Sequence, residues 1–228
     1  MGTRSLIGAI KGGEWKIAQY NQWDGYPTGQ GLTVLNFLRA ADLEEFVQKL
    51  DLCRLGTDEE IEAAYAAYST NGGMSMEQSD AFKKSPFWYL SRDTGADILN
   101  VVLSADSEII CKDSSSFGGE GLFCEWAYVI DADRRVLEVY KGFFQTPAPE
   151  GERFAIFNAA TVEKAEADRE RALARGYSSI GTYYPVHLIK EYSFDALPDE
   201  QQFIADLEEP DEEDEDEDED DVEAEAEA

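Results

Sequence analysis

Positions 211–221 are eleven consecutive carboxylates. At neutral pH such a run repels itself and offers no apolar surface to bury, so it cannot be built into a packed body. It divides the chain. Residues 206–228 hold 17 acidic groups and no basic one, which predicts a globular domain over 1–205 and a disordered acidic tail over 206–228. The remaining 32 acids face 19 bases, a balance of −13 within a net charge of −30, so the body is acidic as well. Specific double-stranded DNA binding needs a cationic footprint, and this charge pattern excludes direct nucleic-acid binding from the expected functions. The tail has two readings: a solubiliser that keeps like-charged molecules apart, or a salt-sensitive ligand for a basic protein partner.

Hydrophobic residues make up 43% of the chain, enough for one sizeable core, and no Pro/Gly/Ser-rich linker interrupts it before residue 195. No stretch approaches the roughly 18 to 20 apolar residues of a membrane span. The N-terminal segment lacks a signal-peptide pattern, and Leu6 stands where a myristoylation signal needs Ser or Thr. The expectation is a cytoplasmic protein (host cytoplasm if viral) with no membrane partner. Cys53, Cys111 and Cys124 are widely spaced, no CxxC pair occurs, and His187 is the single histidine. That pattern predicts three buried, reduced thiols and neither a disulfide framework nor a zinc site. GxGxxG and GxxxxGK[ST] are absent, and Asp131-Ala132-Asp133 lacks the glycine and terminal glutamate of a calcium loop. No cofactor and no metal are expected.

Along the chain, residues 3–10 and 14–20 read as two strands of a hairpin around Lys11-Gly12-Gly13. Helices are predicted over 32–39 and 42–50, and from the capping box Thr57-x-x-Glu60 to about residue 68. Residues 69–78 read as a loop, 80–90 as helical turns broken at Pro86, and 95–103 as a helix capped by Asp93 or Thr94. The second half turns to strands: 108–111, 122–130, 136–140, a weaker 154–157, and 186–193. A charged helix over 161–175, stopped by Gly176, interrupts them, and 197–207 reads as a frayed helix. A hairpin, a helical cluster and a C-terminal antiparallel meander make an α+β pattern rather than alternating βαβ units.

Asn21-Gln22-Trp23-Asp24-Gly25-Tyr26-Pro27 cannot continue a strand, because Asp-Gly and Tyr-Pro both force turns. With Met1-Gly2-Thr3-Arg4 it resembles a family spread over bacteriophages, bacteria and filamentous fungi, whose members share an MxTR start and a WDGYP turn followed by a helix. Arg92-Asp93-Thr94-Gly95-Ala96, Glu125 to Asp131 and Leu137 to Tyr140 fit the same family. The resemblance covers residues 1 to about 200. It implies the domain boundary and a phage or microbial origin, and no particular activity.

Loops held by a rigid scaffold often carry sites. One reading of the motif has Trp23 and Tyr26 as stacking walls and Asn21 and Asp24 as polar anchors; the other has the two rings in the core and Asp24-Gly25 merely making the turn. Arg4, on the adjacent strand, is positioned to pair with Asp24 in either case. Thr3 supplies a separate possibility, an N-terminal-nucleophile amidohydrolase in which removal of two residues frees the amine that activates the hydroxyl, with Arg4 and Asp24 orienting. No lysine sits at the spacing such enzymes use. His187 lies in an apolar strand and reads as a half-buried structural histidine rather than a catalytic base. The balance points away from an enzyme and toward a binding or interaction protein; a virion structural component is the third possibility.

Overall fold

The computed structural model describes residues 2–69, 73–175 and 181–208. The acidic run and Gly176, the expected helix stop, lie outside them. Strands β1 (Ser5–Lys11) and β2 (Glu14–Asn21) form the expected hairpin. Its two-residue turn needs left-handed backbone at both positions, met by Gly12 (φ 65°) and Gly13 (φ 73°). Both turn amides donate to the Asp133 carboxylate at 2.8 Å. These bonds hold the Asp133 carboxyl below the usual range.

The hairpin does not stand apart from the meander. β1 pairs in parallel with β5 (Trp126–Asp131), which continues antiparallel to β6 (Val136–Lys141) and β7 (His187–Ser193). The result is one five-stranded sheet of order β2-β1-β5-β6-β7. Every β5 residue is buried, as is every β1 residue but the last, the pattern of strands covered on both faces. Ile7, Ala9, Tyr128, Ile130 and Val139 pack on one face against α1 (Leu32–Ala40), α2 (Leu43–Lys49), α5 (Ile98–Leu103) and α7 (Glu200–Leu207). Leu6, Ile10, Ala127, Val129 and Tyr140 form a second, smaller core with Cys124, Phe154 and Val186.

That second face also buries charge. Glu138, 2% exposed in the middle of β6, accepts two bonds from Arg153 (Nε to Oε2 2.8 Å, Nη2 to Oε1 2.9 Å), one from Tyr140 (2.8 Å) and one from Arg134 (2.8 Å). Arg153 Nη2 also reaches Asp131 at 2.7 Å, and its guanidinium lies 5.9 Å from the Trp15 ring centre. Burial, then the charge of Glu138, raises the Tyr140 phenol above its ordinary range. Both carboxylate oxygens of Glu138 are fully engaged, so the cluster braces the sheet.

A separate two-stranded parallel sheet joins β3 (Cys53–Leu55), not expected from the sequence, to β4 (Ile109–Cys111). All three cysteines are buried and free. The capping box opens α3 (Asp58–Ala66) as the spacing predicts. The loop expected over 69–78 is cut short by a second box, Ser75 with Gln78, that opens α4 (Met76–Phe82). Residues 95–103 are helical, but neither Asp93 nor Thr94 caps them; the stretch begins with a 3-10 turn at Gly95–Asp97. Residues 122 and 123 belong to a turn and 124 and 125 to no regular element, so β5 begins at Trp126, and 154–157 is not a strand but part of a 3-10 turn, Arg153–Phe157, that inserts Phe154 into the second core and leads into α6 (Asn158–Ala174). α7 is not frayed. Asp199 caps it, Phe203 and Leu207 are buried, and Asp206 bonds to Lys190 and Tyr192 at 3.0 Å each. Asp206 and Leu207 therefore belong to the packed body, which corrects the boundary expected at residue 205.

Candidate functional site

Beyond Asn21 the chain leaves the sheet in a closed loop. Asp24 adopts φ 56°, a left-handed conformation that a short polar side chain tolerates. The Gly25 amide donates to the Thr3 carbonyl (3.0 Å) and the Gln30 amide to the Asp24 carbonyl (2.8 Å). Gly29 and Gly31 both donate to the Tyr26 carbonyl, closing a π-helical turn over Pro27–Gly31 that leads into α1. A Cβ on Gly25 would lie 2.9 Å from both the Ser5 Cβ and the Thr3 carbonyl, so the loop lies flat against the start of β1. From β5, the buried Tyr128 hydroxyl donates to the Gly25 carbonyl at 3.0 Å; burial pushes its phenol pKa well above the ordinary value.

The motif residues divide into two groups. Asn21 is buried and brackets the loop from within, donating to the Ser5 hydroxyl (3.1 Å) and the Trp23 carbonyl. Thr3 is 3% exposed, and no described side chain hydrogen-bonds its hydroxyl. Trp23 and Tyr26 are 48% and 52% exposed, so neither fills the core. Trp23 lies over Gly2 and donates its indole N–H to Asp93 at 3.1 Å. The Asp24 carboxylate makes no hydrogen bond or ion pair among the described residues.

Arg4 does not pair with Asp24. Its carboxylate neighbour is Glu125, whose Oε1 accepts the Arg4 backbone N–H at 3.2 Å and lies 3.8 Å from Nε, beyond hydrogen-bond reach. The guanidinium rests 5.0 Å from the centre of the Phe123 ring, and the buried Nε has no acceptor.

Tyr26 opens onto a cleft of about 260 Å³ formed with Pro27, Trp126, Lys141, Leu207 and Glu208. Trp126 is stacked parallel on Tyr128 (centroids 6.4 Å apart, planes at 6°), and the Lys141 ammonium lies 5.7 Å from the Trp126 centroid. Nothing in the sequence links Trp126, Lys141, Leu207 and Glu208 to the Tyr26 motif; the parallel β1–β5 pairing and the docking of α7 bring them to Tyr26. The cleft is amphipathic, with an aromatic floor and one charge of each sign on its rim. Its residue types suit binding a side chain by stacking and charge.

His187 stacks face to face on Phe144 (4.0 Å, 4°), and its Nε2–H donates to the Thr146 carbonyl at 2.9 Å. It is a buried structural histidine. Among the described residues no group of three or more His, Cys, Asp or Glu is arranged to hold a metal ion, and no helix is long and apolar enough to cross a membrane. Compared with known proteins, the chain matches no protein-family model, no curated protein and no solved structure.

Proposed function

We propose that this is a non-catalytic interaction protein of phage or microbial origin that captures a basic segment of a partner protein at the Tyr26 cleft. One observation carries the reading: Glu208 lines the cleft, so the fifteen further carboxylates of residues 209–228 follow directly from its rim. A Lys or Arg side chain laid on the Tyr26 face gains a cation–π contact of about 0.5–1 kcal/mol at an exposed site. Glu208 supplies a nearby countercharge, and the polyanion raises the rate of encounter with a cationic partner in a salt-dependent way. The contact at the cleft gives the position, and the tail gives the range.

The test is fluorescence anisotropy with a short labelled Lys/Arg-rich peptide against the full chain, Tyr26→Ala, and a chain truncated after Glu208, each at low and high salt. Truncation belongs there rather than at residue 205, because Asp206 and Leu207 hold α7 in place. Affinity falls with salt, with loss of the tail and with loss of the Tyr26 ring. A peptide that binds Tyr26→Ala as well as the parent, or that is indifferent to salt, removes the proposal.

A further inference from the structure

The 17-residue helix α6 has no buried residue. A helix in water draws most of its stability from an apolar face packed on something, and here the side of α6 that turns toward the body borders a groove of about 840 Å³. That volume falls within the roughly 300–1,000 Å³ of small-molecule sites. Ala165 and Ala172 line it together with four rings, Phe123, Phe157, Tyr183 and Tyr184. Phe123 is 43% exposed, a high value for a phenylalanine beside a core.

The charges on the rim resolve into pairs and a remainder. Lys164 pairs with Glu120 at 3.2 Å and Arg171 with Asp168 at 3.1 Å. Arg169, Arg175 and Glu166 also line the groove, and neither arginine has an ion pair or hydrogen bond acceptor on a side chain among the described residues. In a chain of net charge −30, two guanidiniums without a paired countercharge among the described residues share the lining of one groove with four aromatic rings. A guanidinium fork is suited to bidentate contact with a carboxylate, sulfonate or phosphate, and the rings are suited to stacking on a flat apolar body.

We propose that the α6 groove is a binding site for a small molecule that combines one flat aromatic body with one oxyanion. The rings take the body, and Arg169 and Arg175 take the anion. The site is independent of the Tyr26 cleft, which recognises the opposite charge.

Anilinonaphthalene sulfonate has this chemistry and reports its own binding by fluorescence. Titrated into the full chain, it binds saturably at one site. The Arg169→Gln/Arg175→Gln variant weakens that binding by about tenfold or more, the scale of a lost charge-assisted contact, and Phe123→Ala weakens it comparably. Both arginines are on the surface, so the double variant keeps the parent's circular dichroism. Phenylnaphthylamine, which lacks the sulfonate, binds about tenfold more weakly or worse, and Tyr26→Ala changes nothing. Non-saturable binding, equal binding by the double arginine variant, equal binding of the neutral analogue, or loss on Tyr26→Ala each overturns the proposal.

Discussion

Arg153→Met tests whether the charge cluster on the second face of the sheet braces the fold. The substitution keeps much of the side-chain volume but removes three hydrogen bonds at once, two to Glu138 and one to Asp131. Glu138 is then a nearly fully buried carboxylate held only by Tyr140 and by Arg134, whose side chain is half exposed. Breaking a buried ion pair from one side costs about 3–5 kcal/mol, most of it the penalty of the stranded charge. Because the Arg153 side chain retains 22% exposure and Glu138 keeps two donors, the lower end applies, about 3 kcal/mol. A body of this size has about 5–15 kcal/mol in total, and each kcal/mol moves the melting temperature by about 2–4 °C. Urea denaturation followed by tryptophan fluorescence therefore shows a large drop in midpoint, and thermal melting a loss of about 6–12 °C. Combining it with Glu138→Leu removes the stranded charge, so the double variant recovers part of the loss instead of adding to it. An Arg153→Met cost under about 1 kcal/mol, or strict additivity with Glu138→Leu, refutes the reasoning.

Three further outcomes follow from the geometry. Asp24 holds φ 56°, so Asp24→Ala destabilises by about 1 kcal/mol while Asp24→Gly does not; equal urea midpoints for the two variants contradict a left-handed turn. Burial pushes the Cys124 thiol up, and a hydrogen bond donated to Cys53, then burial, does the same for Cys111, so a thiol reagent at neutral pH labels none of the three cysteines in the folded protein and all three in urea. Lys190 first, with Gln202 and Tyr192, holds the Asp206 carboxyl below its unfolded value, so its contribution to docking α7 is complete above about pH 4 and fades as pH falls through the depressed value; the hydrogen-exchange protection of the α7 amides, taken relative to the intrinsic rate at each pH, then falls on acidification while that of β5 does not, and Asp206→Asn abolishes the difference.

The elements that could be read from the sequence are those whose signal is local. The Gly12-Gly13 turn, the Thr57 capping box and the apolar spacing of α1 each dictate structure within a few residues, and each is found where expected. The 154–157 stretch misled because a short unbroken apolar run fits a strand as well as a short turn; what decides is Phe154, pulled into a core assembled from β1, β5 and β6. The parallel β1–β5 pairing joins residues 121 positions apart, and no local pattern encodes it. The same limit governs the site. The motif marked Tyr26 and the tight loop, but the cleft owes Trp126, Lys141 and Glu208 to the sheet and to α7. A better-placed signal did exist for the charge cluster. Glu138 sits inside Val136-Leu137-Glu138-Val139-Tyr140, and a lone acid in a buried strand requires a cation to meet it.

Placing β1 beside β5 also sets the order in which the protein can be made. During synthesis the N-terminal hairpin emerges first, yet one of its two strands is destined for the middle of the sheet, with an open backbone edge and apolar residues on both sides. Until residues 126–131 leave the ribosome, that edge has nothing native to bind, and an exposed strand edge recruits whatever strand is near. Refolding should accordingly be slow for a chain of this size, as non-local pairings are, and yield should depend on how well the nascent hairpin is shielded in the interval.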